Sequence, residues 1–150
     1  MSAIHYDLGS DQILTLTIDM PGQSANTMNA DFRAALTETV GKVKSDLDNI
    51  RGIIVTSAKK TFFAGGDLKE LYKVTREDAG AFEDMVNGMK AEMRVLETSG
   101  KPIVAAINGS ALGGGLEICL ACHHRVVLDE DKIQLGLPEV TLGLLPGGGG

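Results

Sequence analysis

The sequence predicts an α/β fold in which buried strands alternate with helices. Short apolar runs with β-branched residues are typical of strands, and three of them occur at 12–19, 51–57 and 103–107. Two longer segments, 29–47 and 76–98, repeat apolar residues at helical spacing. Because strands and helices alternate along the chain, we expect a sheet that is covered by helices.

The first half of the chain is predicted to form a strand, a helix and a second strand. Residues 12–19 alternate apolar and polar side chains, and Pro21 and Gly22 end that strand. Asn29 is a suitable cap for the first helix, because its side chain can accept a hydrogen bond from the first turn. The apolar residues of this helix recur on one face: Phe32, Leu36, Val40 and Val43. The continuous apolar run within 51–57 indicates a buried strand.

The second half repeats this order. The apolar face of the 76–98 helix carries Phe82, Met85, Met89, Met93 and Leu96. We interpret its methionines as core residues, since methionine fills irregular gaps in protein cores. The strand 103–107 follows, then a short helix that begins after Gly113–Gly115, and then a strand at 125–128.

Length, charge and cysteine content restrict the class of protein. A chain of 150 residues is long enough for one core, so we expect one domain. The net charge of −6 argues against a nucleic-acid partner, which would require a basic patch. No apolar run approaches the ~20 residues of a membrane span, and the first residues lack the features of a signal peptide. Together with only two cysteines, these features lead us to expect a cytoplasmic protein.

Two glutamates next to glycine-rich turns are the strongest functional signal. Glu117 follows Gly113–Gly115, and Glu139 ends the segment Gly136–Glu139. Backbone N–H groups in such turns can bind an anion, and paired carboxylates can carry out general acid/base catalysis. The combination predicts an enzyme. Structural roles stay open for both motifs: close helix–strand packing for Gly113–Gly115 and an exposed loop position for Glu139.

A third glycine turn lies within residues 62–68. Its small residues, Ala64, Gly65 and Gly66, would let a ligand approach the backbone closely. A tight strand-to-helix turn capped by Asp67 explains the same pattern equally well. Both interpretations stay open at this point.

Several other motifs are absent or unconvincing. A dinucleotide-binding turn that begins at Gly113 requires glycine at position 118, which is Ile118, and neither a P-loop nor a G-x-S-x-G motif is present. Cys119, Cys122 and His123 have the spacing of a haem attachment site. We expect no haem or metal there, because the apolar neighbours indicate buried cysteines and no second cysteine pair exists.

Four sequence motifs in fixed order resemble the enoyl-CoA hydratase (crotonase) family. They are Phe63–Leu68, Lys101–Gly109, Gly113–Glu117, and Leu135–Val140 followed by Gly143–Gly147. The resemblance extends from about residue 12 to the end of the chain. Residues 121–126 and 135–140 further resemble the hydratase domain that precedes a 3-hydroxyacyl-CoA dehydrogenase in multifunctional bacterial fatty-acid oxidation proteins.

This resemblance implies a crotonase fold of repeated ββα units, of which residues 1–150 form the N-terminal part. It implies that the N–H groups of Gly66 and Gly114 bind the thioester oxygen as an oxyanion hole. Glu117 would act as base on the attacking water, and Glu139 would deliver a proton to Cα. At position 66 the family more commonly has a residue with a side chain, so we expect a looser turn here that retains its N–H group.

The resemblance also implies ligands and partners. Coenzyme A would lie along residues of three turns: Ala25, Ala64, Gly65, Gly66, Asp67, Leu68 and Gly113. The coenzyme A thioester is the substrate, and no cofactor or metal is expected in this segment. NAD is expected only in a dehydrogenase domain beyond residue 150. The expected partners are an acyl-CoA, a thiolase subunit and further copies of the chain in a homo-oligomer.

The implied reaction is the reversible hydration of trans-2-enoyl-CoA to 3-hydroxyacyl-CoA, and two alternatives stay open. An enoyl-CoA isomerase moves a proton between carbons and can work with one glutamate, so the presence of both favours a hydratase. A non-catalytic acyl-CoA-binding or assembly module would be indicated by carboxylates that point away from Gly66 and Gly114.

Overall fold

A five-stranded sheet with helices packed against it forms the body of the computed structural model, which describes residues 2–149. The strands are β1 (Ile4–Leu8), β2 (Ile13–Ile18), β3 (Gly52–Ser57), β4 (Ile103–Ile107), β5 (Ala111–Leu112), β6 (His124–Val127) and β7 (Leu135–Gly136). The α-helices are α1 (Ala30–Asp46), α2 (Leu68–Leu71), α3 (Ala79–Glu97) and α4 (Gly114–Leu120). Three short 3-10 helices lie at Leu47–Asn49, Arg76–Asp78 and Pro138–Leu142.

The main sheet has the strand order β1-β2-β3-β4-β6 and is parallel except for its first pair. Parallel neighbours need a crossover connection, which α1 supplies between β2 and β3 and α3 supplies between β3 and β4. The four predicted strands are confirmed to within one residue at each end. β1 was not predicted, because the alternation of Ile4, Tyr6 and Leu8 is too short to distinguish an edge strand from a loop.

Both long predicted helices are confirmed. α1 begins directly after Asn29, whose side-chain oxygen accepts a hydrogen bond from the Phe32 amide at 3.0 Å. The 76–98 segment begins with a 3-10 turn and continues as α3. Met89 and Met93 are buried, so the interpretation of the methionines as core residues is confirmed for these two. No helix in the described part of the chain is long and apolar enough to cross a membrane.

The core joins α1 to the glycine turn within 62–68. Phe32 on α1 and Phe63 in that turn are both almost fully buried. Their rings meet edge to face, with centroids 4.9 Å apart and an interplanar angle of 70°. Such an aromatic pair contributes ~0.5–1.5 kcal/mol beyond the area that it buries. The turn is therefore anchored on the core at its first residues.

A second layer of extended backbone decides where the glycine turns lie. After β2, β3, β4 and β6, the chain continues into short segments that pair side by side in the same order. The bonds that join neighbouring segments are Ala64 N–H to Asn26 O at 2.8 Å, Leu112 N–H to Phe63 O at 3.0 Å, and Gly113 N–H to Gly136 O at 2.9 Å. This layer was not predicted, and it brings segments that are tens of residues apart into contact.

β6 forms one edge of the main sheet and is exposed along its whole length. Val126 retains 55% of its surface and Val127 retains 38%. The apolar run at 125–128 therefore predicted the element correctly and does not have the buried environment of β3 and β4.

Candidate active site

Two glycine turns lie against each other. Gly65 and Gly113 have positive φ angles of 97° and 53°, which residues with a side chain rarely adopt. A Cβ atom on Gly113 would lie 3.7 Å from the Gly65 Cα, and one on Gly65 would lie 3.0 Å from the Leu112 carbonyl oxygen. The two turns are thus in backbone contact, and the structure requires glycine at both positions.

The Gly66 amide has a fixed direction. The Gly65 carbonyl accepts a hydrogen bond from the Met28 N–H at 2.9 Å. In a trans peptide the carbonyl and the following N–H point in opposite directions, and no cis peptide occurs among residues 2–149. The Gly66 N–H therefore points away from Met28. It donates to no protein oxygen within the described residues.

The Gly114 amide is oriented in the same way. The Gly113 carbonyl accepts hydrogen bonds from the Leu116 and Glu117 N–H groups at 2.9 and 3.1 Å. The Gly114 N–H, on the other side of that peptide, points away from the body of α4. No protein oxygen between residues 2 and 149 accepts it. Both amides can therefore donate to a ligand.

Glu117 is buried beside this second turn. It lies in the first turn of α4 and retains only 4% of its surface. Its Oε2 lies 3.9 Å from the position that a Cβ on Gly114 would occupy, and 2.6 Å from the corresponding position on Gly148. The carboxylate therefore lies between Gly114 and Gly148, where a side chain at position 148 would displace it.

Glu139 reaches the same turn from a different segment. It is the second residue of the 3-10 helix Pro138–Leu142, and its Oε1 lies 2.9 Å from the Cβ position of Gly113. Its Oε2 is buried and has no hydrogen-bond partner among residues 2–149. A buried carboxylate oxygen without a partner is costly, so this atom is suited to a bound substrate or water molecule.

The structure thus places two carboxylates next to consecutive residues of one turn. Glu139 adjoins Gly113, and Glu117 adjoins Gly114. A reacting group held by the Gly114 amide would lie near groups that can donate and accept protons. An open groove of about 400 Å³ adjoins Glu117 and lies between α3, α4 and the segment 148–149.

The residues predicted to contact coenzyme A lie on adjoining segments. Ala25 precedes Asn26, whose carbonyl accepts the Ala64 N–H at 2.8 Å. Asp67 caps α2, since its carboxylate accepts hydrogen bonds from two first-turn amides at 2.8 and 3.4 Å. The structural interpretation of Asp67 is therefore confirmed. Ala64 and Leu68 are exposed and accessible to a ligand.

Asn26 supports the site through buried hydrogen bonds, and this structural role was not predicted from the sequence. It is fully buried, and its Oδ1 accepts the Met20 N–H at 3.0 Å. Its Nδ2 donates towards oxygens of Ile18, Ser57 and Phe62 at 2.9–3.2 Å. It therefore ties the ends of β2 and β3 to the glycine turn. An asparagine between small and polar neighbours resembles a solvated loop residue, so the sequence contains no signal for this role.

The cysteines are buried core residues, as predicted. Burial raises the pKa of Cys119 to about 12 and the pKa of Cys122 to about 11. Their thiols donate to the carbonyls of Gly115 and Ile118, at 3.2 and 3.4 Å. Across residues 2–149, no group of three or more His, Cys, Asp and Glu side chains is arranged to hold a metal ion.

The amino-acid sequence is similar to a known protein family and to several named proteins. A family model described as enoyl-CoA hydratase/isomerase matches residues 9–150. The fatty acid oxidation complex subunit alpha of Shewanella loihica is 47% identical over 140 residues, which is 92% of this chain and 19% of that protein. The protein of the same name from Shewanella sp. W3-18-1 is 46% identical over 142 residues, or 93% of this chain and 20% of that protein.

Solved structures resemble the fold closely. The enoyl-CoA hydratase of Bacillus anthracis superposes with a TM-score of 0.84 at 31% identity, covering 99% of this chain and 55% of that one. An enoyl-CoA hydratase from Polaromonas sp. JS666 also has a TM-score of 0.84, at 28% identity, over 99% of this chain and 56% of that one. The chain therefore spans about a fifth of the length of its curated relatives and just over half of these hydratases.

Proposed function

The chain belongs to the enoyl-CoA hydratase/isomerase family and has the crotonase fold, and on this premise we propose that it hydrates trans-2-enoyl-CoA reversibly to 3-hydroxyacyl-CoA. The observation that carries the proposal is the pair of carboxylates beside one glycine turn. Glu139 adjoins Gly113 and Glu117 adjoins Gly114. A hydration reaction needs one group to activate water and one to deliver a proton, and this turn has both beside it.

The thioester oxygen is held by the amides of Gly66 and Gly114. Attack of water at Cβ moves the electrons of the C=C bond towards the thioester, so negative charge develops on its oxygen. Two oriented N–H donors stabilise that charge more than they stabilise the neutral substrate, and loss of one such donor typically costs ~10²–10³ in rate. The opposing carbonyls of Gly65 and Gly113 are hydrogen-bonded, so both donors are preorganised.

The two glutamates divide the proton transfers. Glu117 takes a proton from water, and the resulting hydroxide forms the C–O bond at Cβ. Glu139 delivers its proton to Cα, which completes the addition and returns the thioester to its neutral form. Proton exchange with solvent then removes the proton from Glu117 and restores the one on Glu139. Glu139 Oε2 has no hydrogen-bond partner among residues 2–149, and this supports the role. A proton on that oxygen can move to the substrate without first breaking a hydrogen bond to the protein. Addition of water is redox-neutral overall, so these steps require no cofactor.

Coenzyme A lies along the segments that carry Ala25, Ala64–Leu68 and Gly113. Ala64 and Leu68 are exposed there, and their backbone lies next to the oxyanion donors. Binding through backbone groups leaves the carboxylates available for chemistry.

The curated relatives support a wider proposal about the protein that contains this chain. They are named as alpha subunits of a fatty acid oxidation complex, and this chain matches about a fifth of their length. We propose a multifunctional, cytoplasmic protein in which residues 1–150 begin the hydratase domain. An NAD-dependent 3-hydroxyacyl-CoA dehydrogenase domain follows it, and a thiolase subunit and further copies of the chain are its partners.

The test is an assay of the purified protein as its gene encodes it. Loss of the conjugated enoyl thioester absorbance from trans-2-butenoyl-CoA, with incorporation of ¹⁸O from labelled water into the product, is the expected result. Conversion of a 3-enoyl-CoA to the 2-enoyl isomer without any hydration would indicate the isomerase instead. Binding of acyl-CoA with neither reaction would indicate a non-catalytic module.

A further inference from the structure

Met28 contacts both of the peptides that carry the candidate oxyanion donors. Its N–H donates to the Gly65 carbonyl at 2.9 Å, on the peptide that continues into the Gly66 amide. Its side chain lies beside the residue that carries the other donor: a Cβ on Gly114 would lie 3.0 Å from the Met28 Cε and 3.1 Å from its Sδ. One residue therefore contacts both glycine turns, once through its backbone and once through its thioether.

The backbone of Met28 is held in turn by a cluster of side chains at the start of α1. Arg33 donates from Nη1 to the Met28 carbonyl at 3.1 Å and to Glu70 Oε2 at the same distance. Glu70, on α2, also accepts the Ala30 N–H at 3.2 Å through its other oxygen. These contacts join α2, which directly follows the Gly66 turn, to the segment that contains Met28.

The Gly66 turn depends on contacts with other parts of the chain for its orientation. Gly65 and Gly66 have no side chains, so no side-chain packing of their own fixes where the Gly66 amide points. α2 has only four residues, and none of them is buried. The hydrogen bond from Met28 therefore fixes the direction of this peptide, and the thioether occupies the space beside Gly114, next to the second donor.

We propose that Met28 is a positioning residue that sets the separation of the Gly66 and Gly114 amides, and that Arg33 and Glu70 hold Met28 in place. The inference rests on the proposed function, since it assigns a role to the supports of the same oxyanion hole. It predicts that Met28 affects how well the negative charge on the thioester oxygen is stabilised, and that it does not affect the binding of coenzyme A. A displacement of ~1 Å in a catalytic group can cost up to ~10²-fold in rate.

The test compares Met28→Ala with Met28→Leu in the protein as its gene encodes it. Alanine removes the contact with Gly114, and leucine restores most of the apolar volume. We expect Met28→Ala to lower kcat for hydration by ~10–10²-fold with less than about a threefold change in KM, and Met28→Leu to recover most of that loss. Leu47→Ala is the matched control, because Leu47 is a partly buried core residue at the opposite end of α1.

A second readout separates the oxyanion donors from the glutamates. Acetoacetyl-CoA loses a proton to form an enolate whose charge resides on its oxygens, and the enolate absorbs in the ultraviolet. An intact oxyanion hole lowers the pH at which the bound ligand forms this enolate. We expect Met28→Ala to raise that pH towards the value in solution, while Met28→Leu and Leu47→Ala leave it unchanged.

The outcomes are distinguishable. A wild-type protein that neither hydrates nor stabilises the enolate overturns the proposed function, and this inference with it. A wild-type protein that does both, with Met28→Ala no different from Leu47→Ala, overturns the inference alone. If Met28→Ala does not fold, Arg33→Met decides: a lowered kcat with an unchanged KM and a raised enolate pH supports the inference, and wild-type values for both overturn it.

Discussion

The carboxylate of Glu139 lies directly against Gly113: its Oε1 is 2.9 Å from the point where a Cβ on residue 113 would lie. Gly113 also has a φ angle of 53°. Glycine is therefore required there for two separate reasons, since any side chain would be strained and would also displace the carboxylate. The turn and the carboxylate form one unit.

A first prediction separates these two reasons. Gly113→Ala should cost ~1–2 kcal/mol of unfolding free energy through its positive φ angle, and should also lower kcat strongly by displacing Glu139. Gly100→Ala is the matched control, because Gly100 has a φ angle of 78° and nothing within 4 Å of a Cβ. We expect a similar loss of stability and no loss of kcat in the control, measured by urea unfolding and steady-state kinetics. Equal kcat in both variants would contradict the placement of Glu139 in the site.

The second prediction concerns the two glutamates. Glu117→Gln and Glu139→Gln preserve size and remove the proton chemistry of the carboxylate, so each should lower hydratase kcat by ~10²–10⁴-fold. KM should change much less, because backbone groups elsewhere bind coenzyme A. The double variant should lose less than the product of the two effects, because both groups act on the same addition of water to the C=C bond.

Glu38→Gln on the exposed side of α1 provides the control for this pair, since its contact with Lys42 is a surface ion pair at 3.6 Å. We expect wild-type kinetics from it. If only one of the two site variants lowers the rate and the protein shifts a 3-enoyl double bond without adding water, the isomerase is correct. If neither variant lowers the rate, the glutamates are structural.

The third prediction is that Asn26 stabilises the connection between β2, β3 and the glycine turn. Asn26→Ala leaves the buried Met20 amide and the Phe62 carbonyl without their hydrogen-bond partner. Each buried group left in this state costs ~1–3 kcal/mol, so the unfolding free energy should fall by at least ~2 kcal/mol. Asn87→Ala, at an exposed position on α3, should change it by less than ~0.5 kcal/mol. Denaturant unfolding of both variants checks the difference, and equal midpoints would refute it.

The fourth prediction concerns acid stability. A hydrogen bond from Lys59, at 2.6 Å, holds the pKa of Asp19 below its ordinary value of 3.8, and His5 lowers it further from 3.5 Å. Because the pKa is lowered in the folded state, the stabilisation is complete above the ordinary value and disappears as the pH falls through the folded value. Lys59→Met should therefore destabilise the protein at neutral pH and have little effect at a pH below both values.

The neighbouring Lys60→Met is the control for this experiment, since Lys60 is exposed and takes part in no ion pair among residues 2–149. Urea unfolding across the acidic range measures the difference between each variant and the wild type. A difference for Lys59→Met that stays constant with pH would show that Lys59 acts through packing and not through the charge of Asp19.

The pattern of apolar residues along the chain was sufficient to predict the main elements. The buried face of α1 and the strands β2, β3 and β4 follow from periodicities that are local, and Asn29 caps α1 through a bond to a residue three positions away. The candidate carboxylates and glycines were also identified from their immediate neighbours. Signals of this kind can be recognised in a sequence because the residues that produce them lie within a few positions of each other.

The second layer of backbone could not be predicted in this way. Its strands β5 and β7 have two residues each, which is too short for any periodicity to appear. What holds it together is hydrogen bonding between backbone groups, and every residue except proline has the same donor and acceptor. Nothing in the side chains of Ala64 and Leu112 therefore indicates their partners.

By itself, the sequence determined the α/β class, the boundaries of the long elements, the family resemblance and the identity of Glu117 and Glu139 as candidates. Only the tertiary structure decided that Glu139 lies against Gly113, that Met28 contacts both glycine turns, and that Asn26 and Arg33 support them. The physical reason is sequence distance. These contacts join residues that become neighbours only when the parallel segments stack, and a contact between distant residues leaves no periodic trace in either segment.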